Sequence, residues 1–133
     1  MSGIIGGAGS KSGVIGTTEL DYEAGEFTVS GSNVTSNGGR YIKIGNVVNV
    51  TFRFTAINGS STSSPGGLPF TGIAQLNSEK PGGGSVIYQN DSTVAWNCLV
   101  NTGNTTFFLY AGSAMKQLTS GATAICVMTY ISA

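Results

Sequence analysis

Asn46-Val-Val-Asn-Val-Thr-Phe-Arg-Phe-Thr-Ala-Ile57 decides the fold class. Val48, Val50, Phe52, Phe54 and Ala56 fall on one side of an extended chain, and Asn49, Thr51, Arg53 and Thr55 on the other. Alternation with the two-residue period of a strand reads as one face in a core and one in water. Arg40-Tyr-Ile-Lys-Ile44 precedes it across Gly45-Asn46, a dipeptide suited to a type II′ hairpin turn because glycine accepts positive φ at the first turn position. Outward from this hairpin, Gly25 to Ser30, Ile73 to Asn77, Ser85 to Gln89, Thr93 to Val100, Thr105 to Ala111 and Ala122 to Ile131 are further strand-like runs. Ser63-Ser-Pro-Gly-Gly67 and Lys80-Pro-Gly-Gly-Gly84 read as turns between them. No window carries a convincing helical period. The expectation is an all-β fold, an antiparallel β-sandwich with the connectivity of a jelly roll of about eight strands.

Two of the runs lack a wet face. Thr123 to Ile131 places Ala124, Cys126, Met128 and Tyr130 on one parity and Ile125, Val127 and Ile131 on the other. Thr105 to Tyr110 likewise puts Phe107 and Leu109 on one side and Phe108 and Tyr110 on the other. A strand apolar on both faces is buried on both, and a sandwich covers only one of them. A second chain is the simplest cover, and cyclic assembly suits a self-complementary sheet. A homotrimer is therefore expected, with Phe108, Tyr110, Met128 and Tyr130 as its interface candidates.

Composition narrows the chemistry. The 133 residues include six basic and six acidic side chains, no His, two Cys and 21 Gly. A net charge of zero leaves no clustered excess of Lys and Arg for nucleic acid or an anionic membrane surface. Without His, histidine-based triads and imidazole metal sites are excluded. Cys98 and Cys126 each sit inside an apolar run and read as buried free thiols. No cofactor or metal is expected, and no apolar stretch reaches the length of a membrane span. The start of the chain lacks the features of a signal peptide, so synthesis and assembly in a cytoplasm are expected.

Residues 1–22 read as a Gly-rich N-terminal arm and 23–133 as the sandwich domain. The arm carries a short repeat, Ser2-Gly-Ile-Ile-Gly6 and Ser12-Gly-Val-Ile-Gly16. Its glycines disfavour a helix, while Ile4, Ile5, Val14 and Ile15 are suited to docking. Gly6-Gly-Ala-Gly-Ser-Lys-Ser-Gly13 has only a superficial likeness to a phosphate loop, because Ser10 stands where Gly should precede the Lys. Glu19, Asp21 and Glu23 alternate along the chain and read as a solvated face or as ion-pair partners rather than a calcium site. Glu79 and Asp91 are the acids of the second half, both beside turns where no environment raises a pKa for acid catalysis. Trp96 shares its parity with Val94, Cys98 and Val100 and is assigned to the core. Enzyme activity is not expected.

Tyr22-Glu-Ala-Gly-Glu-Phe-Thr28, Tyr41-Ile-Lys-Ile-Gly-Asn-Val-Val-Asn-Val50, Gly67-Leu-Pro-Phe70 and Val127-Met-Thr-Tyr-Ile131, in this order, resemble a recurrent module of tailed-bacteriophage virion proteins. The resemblance covers residues 20–131, and Lys43-Ile-Gly-Asn46 is its most specific part. It implies a small, generally trimeric jelly-roll domain used in tail fibres, head fibres and capsid decoration, and it carries no catalytic residue. Two functions follow as expectations. One is a capsid decoration or cement protein on the virion surface, its arm on the major capsid protein. The other is the receptor-binding tip of a tail or head fibre, mounted on an adaptor and recognising a host surface glycan through loops such as Gly59 to Gly67 and Lys80 to Ser85. The short segment before the sandwich favours decoration.

Overall fold

A computed structural model describes residues 21–57, 65–74, 80–90 and 95–133. These hold eight strands: β1 Tyr22–Phe27, β2 Val34–Ile44, β3 Val47–Ala56, β4 Gly82–Gln89, β5 Trp96–Val100, β6 Phe107–Ala111, β7 Ala114–Lys116 and β8 Thr123–Ile131. All are antiparallel in one sheet of order β1-β2-β3-β8-β4-β5-β6-β7. The hairpin read from the sequence is β2–β3. Ile44 pairs with Val47, and Gly45 between them takes φ 58°, the positive value that a primed turn requires. The alternation of β3 is realised in full, with Val48, Val50, Phe52, Phe54 and Ala56 buried and Asn49, Thr51 and Arg53 exposed.

The sheet bends back on itself to enclose that buried side. β3 and β6 are separated by three strands in the sheet order, yet the Phe107 ring meets Phe52 edge-on at 5.0 Å and Phe54 at 5.7 Å. Two layers therefore face each other across one core, in which Trp96, Cys98, Val100, Leu109, Ala124, Cys126, Met128 and Tyr130 are also buried. Pro65 to Leu68 straps the layers together. Gly66 exchanges backbone hydrogen bonds with Ser30 at 2.7 and 2.9 Å, while the Pro65 carbonyl accepts from Phe107 N–H at 2.9 Å. Leu68 is buried beneath this strap, so the backbone polar groups of the crossing are paired where it covers apolar side chains.

The described residues do not establish jelly-roll connectivity. A jelly roll combines two Greek keys; here two meanders, β1-β2-β3 and β4-β5-β6-β7, are spliced by β8, which returns to lie between β3 and β4. Among the described residues there is one long return. The position of β8 gives each of its edges a full-length partner, with nine register pairs to β3 and seven to β4. Ile73 and Ala74 belong to no strand, and the rest of the Ile73 to Asn77 run lies outside the described residues.

Glycines inside strands let side chains from flanking strands meet. Gly39 of β2 pairs with Phe27 on one side and Phe52 on the other, and those two rings close over it at 5.7 Å. Gly84 of β4 pairs with Cys98 and Met128, and the Cys98 thiol leans across it to within 4.0 Å of the Val127 carbonyl. Glycine in a strand interior marks such close approach or a tight bend, and β4 lies where the sheet turns from one layer to the other.

Candidate functional site

Four stretches far apart in sequence converge at one end of the sheet. On the core side, the half-buried Tyr41 of β2 donates its hydroxyl hydrogen to Glu23 Oε1 at 2.7 Å and sets its ring edge-on against Phe70 at 5.1 Å. Lys43 Nζ lies 5.3 Å from the Phe70 ring centroid and 3.6 Å from the Asp21 carboxylate, a cation held over an aromatic face and steadied by an anion. The Tyr130 hydroxyl donates to the Phe70 carbonyl at 3.0 Å and accepts from the Phe70 N–H at 3.3 Å. Both phenols are held protonated. The Tyr41 pKa is raised, mainly by its hydrogen bond to the Glu23 carboxylate and then by desolvation and the negative charge. Burial pushes Tyr130 up to about 12, against a smaller opposing effect of the Phe70 backbone. These groups clamp the segment around Phe70.

The Tyr130 shift has a testable consequence. An unfolded tyrosine ionises near pH 10, so the folded form holds its proton longer and contributes stability in full below that pH. This stability is lost as pH rises from about 10 to about 12. Urea midpoints measured across this window are expected to fall more for the native chain than for Tyr130→Phe; parallel curves would remove the assigned shift.

The outer side of the same end is apolar. Tyr22 pairs with Ile44, Ile44 with Val47, and Val47 with Ile131, so four apolar side chains form one cross-strand row over β1, β2, β3 and β8. They are 60%, 42%, 40% and 38% exposed in that order. Ile42, also exposed, stands in the next row with Ala24, Asn49 and Thr129. There Thr129 Oγ1 donates to Asn49 Oδ1 at 2.6 Å. One row further in are Glu26, Arg40, Thr51 and Val127, with Glu26 and Arg40 in an exposed ion pair at 3.4 Å. The face is thus apolar at its rim and polar inward. Exposed aliphatic and aromatic side chains in a contiguous row mark an interaction surface more reliably than single ones do.

The expected interface candidates divide. Phe108 and Tyr110 lie half-buried on the outer face of β6. Met128 and Tyr130 are each 1% exposed within the single chain, so the two-layer core covers them and no second chain can reach them; Val127, Thr129 and Ile131, of the opposite parity, are the exposed side chains of β8. Tyr110 lines an open trough of about 600 Å³ together with Gly83, Gly84, Asn97, Leu99 and Ser113. Ile4, Ile5, Val14 and Ile15 lie outside the described residues, as do Glu19, Glu79 and Asp91.

Trp96 is in the core. Cys98 and Cys126 are free and buried, and hydrogen bonding to Cys98 together with burial pushes the Cys126 thiol up, away from a reactive thiolate. Among the described residues, no three His, Cys, Asp or Glu side chains gather into a group that can hold a metal. Periodicity missed the apolar row because it spans four strands and exists only once their register is known. No protein-family model, no curated protein and no solved structure matches this chain.

Proposed function

We propose that the chain is a virion structural protein of a tailed bacteriophage, a capsid decoration or cement protein. In this reading it clamps the shell as a homotrimer, with its N-terminal arm on the major capsid protein. The observation that supports it most is the exposed row Tyr22, Ile44, Val47 and Ile131, because an assembly protein needs surface that is apolar until a partner covers it. All four residues fall within the stretches that resemble the virion module, Tyr22 to Thr28, Tyr41 to Val50 and Val127 to Ile131. The low content of charged residues, 9% of the chain, agrees with a surface largely covered in the assembled state.

A second reading is the glycan-binding tip of a tail or head fibre. The trough beside Tyr110 favours it, since a lining that includes Tyr110, Asn97 and Ser113 brings an aromatic ring and polar side chains to one open depression, the residue types that hold a sugar ring. Quantitative mass spectrometry of purified particles separates the two. A decoration protein is expected in numbers comparable to the capsid subunit, whereas a fibre tip is expected at the low multiples set by the symmetry of the tail or of the fibre attachment sites. Absence from the particle would overturn both.

A further inference from the structure

We propose that Cys98 and Cys126 form a disulfide that staples β5 to β8 across β4. Cys98 pairs with Gly84, and Cys126 with Val86 two residues further along β4. Both side chains therefore leave the sheet on one side, into the core, where each is 0% exposed. Gly84 puts no side chain between them. A Cβ there would overlap the Val127 carbonyl oxygen, so glycine alone lets β4 lie this close to β8. As a result β5 and β8, which β4 separates in the sheet order, approach within 8 Å between α-carbons. The Cys98 thiol reaches over Gly84 to within 4.0 Å of the Val127 carbonyl, on the residue that follows Cys126, and the two thiols are hydrogen-bonded to each other. A disulfide spans about 4.4–6.8 Å between α-carbons. Closing it draws β5 towards β8, a shift that no side chain at residue 84 obstructs.

The bond needs an oxidant, and a small-molecule disulfide such as glutathione disulfide supplies it. One protein thiol loses its proton and attacks a glutathione sulfur, releasing the first glutathione as its thiol. The second protein thiol then loses its proton, attacks the protein sulfur of this mixed disulfide and releases the other glutathione. The cysteines give up two hydrogens and two electrons, and one glutathione disulfide becomes two thiols. The core favours the product. Hydrogen bonding to Cys98 and burial push the Cys126 thiol up, so its thiolate gains no stabilisation in the reduced state, and a stabilised reduced state is what makes a protein disulfide easily reduced. Closure is fastest as the chain folds, before the sulfurs are covered, because a buried thiol exchanges slowly.

The closed loop runs from β5 through β6 and β7 into β8. Its strands are the short ones of the sheet: β5 and β6 have five residues each, and the edge strand β7 has three, all exposed. The bond ties this lightly held end to β8, the strand that joins the two meanders. A cross-link of this kind stabilises the fold chiefly by restricting the unfolded chain. The staple lies wholly within one chain and stands whatever that chain assembles with.

The test uses the native chain in one fixed mixture of glutathione and glutathione disulfide. One sample is refolded from urea into that mixture, so that the sulfurs are reachable while the chain folds, and another is held in it in concentrated urea. Both are quenched with acid and weighed intact by mass spectrometry. A bond that stabilises the fold is stabilised by the fold to the same extent. The equilibrium constant for the internal disulfide, read as the loss of two hydrogens with no glutathione attached, is therefore expected to be larger for the refolded chain, by about tenfold or more. The urea midpoint of the oxidised chain should fall when dithiothreitol is added. Two free thiols in the refolded chain, a disulfide between two chains, or a constant no larger for the refolded chain than in urea overturns the staple.

Discussion

Phe52→Ala is expected to destabilise the fold by about 3–5 kcal/mol, the range for removing a buried aromatic ring and leaving a cavity. Phe52 is 2% exposed and its ring contacts Phe27 from β1, Phe54 on its own strand and Phe107 from the opposite layer. No other side chain on β3 joins the edge strand, the central hairpin and the facing layer in this way among the described ring contacts. The backbone around it cannot close the gap, because Gly39 on one side has no side chain to move in and Cys126 on the other is a small one. A domain of this size has about 5–15 kcal/mol of stability in all, so the variant should unfold in low urea or at a strongly lowered temperature. Phe108→Ala is the comparison. Its ring is half-buried on the outer face, and the loss there should be about 1–2 kcal/mol by the transfer of partly exposed surface. Equal losses at the two positions would mean that Phe52 and Phe107 do not pack across two layers.

The sequence disclosed the parts of the fold that depend on local alternation. The buried parity of β3, the Gly45-Asn46 turn and the apolar parity of β5 follow from neighbours two residues apart, and the structure keeps them. What it hid lies between strands. Lys80-Pro-Gly-Gly-Gly84 has the composition of a turn and reads as one, yet β4 begins at Gly82; Gly38-Gly39 lies within β2, which passes through it with a bulge. These glycines answer to contacts with other strands, and nothing in their own neighbourhood distinguishes that role from a turn. The place of β8 between β3 and β4 is equally silent in the linear pattern, since an apolar strand suits several central positions. The candidate surface was half legible. A two-residue turn at Gly45-Asn46 forces Ile44 opposite Val47 and Ile42 opposite Asn49, hence onto the face that β3 turns to water. Extending that pair to Tyr22 and Ile131 needed the register of β1 and β8. Met128 and Tyr130 were placed at an interface because both parities of β8 are apolar; the bent sheet covers one of them with the chain's own second layer, and only the other is left for a partner.

Gly84→Ala is expected to abolish folding, and it tests the least legible part of the sheet. A Cβ at residue 84 would stand 1.8 Å from the Val127 carbonyl oxygen and 2.8 Å from Met128 Cα, both backbone atoms of the paired strand. Rotating a side chain cannot relieve such an overlap. Relief requires β4 to move away from β8, which breaks the register that joins the two meanders and opens the layer containing Cys98 and Cys126. Gly45→Ala serves as the control for simply adding a methyl group to a glycine. Nothing lies within 4 Å of its Cβ, so the cost is the left-handed backbone at φ 58°, about 1–2 kcal/mol. Soluble yield and amide dispersion in a proton–nitrogen spectrum separate the outcomes: a dispersed spectrum for Gly45→Ala and none for Gly84→Ala. Were Gly84→Ala to fold with a melting temperature near the native one, β4 and β8 would not run in contact at this point. The splice between the two halves of the sheet would then lie elsewhere. Because β8 is also the strand that brings Ile131 beside Val47, its attachment to both meanders fixes the apolar row as firmly as it fixes the core.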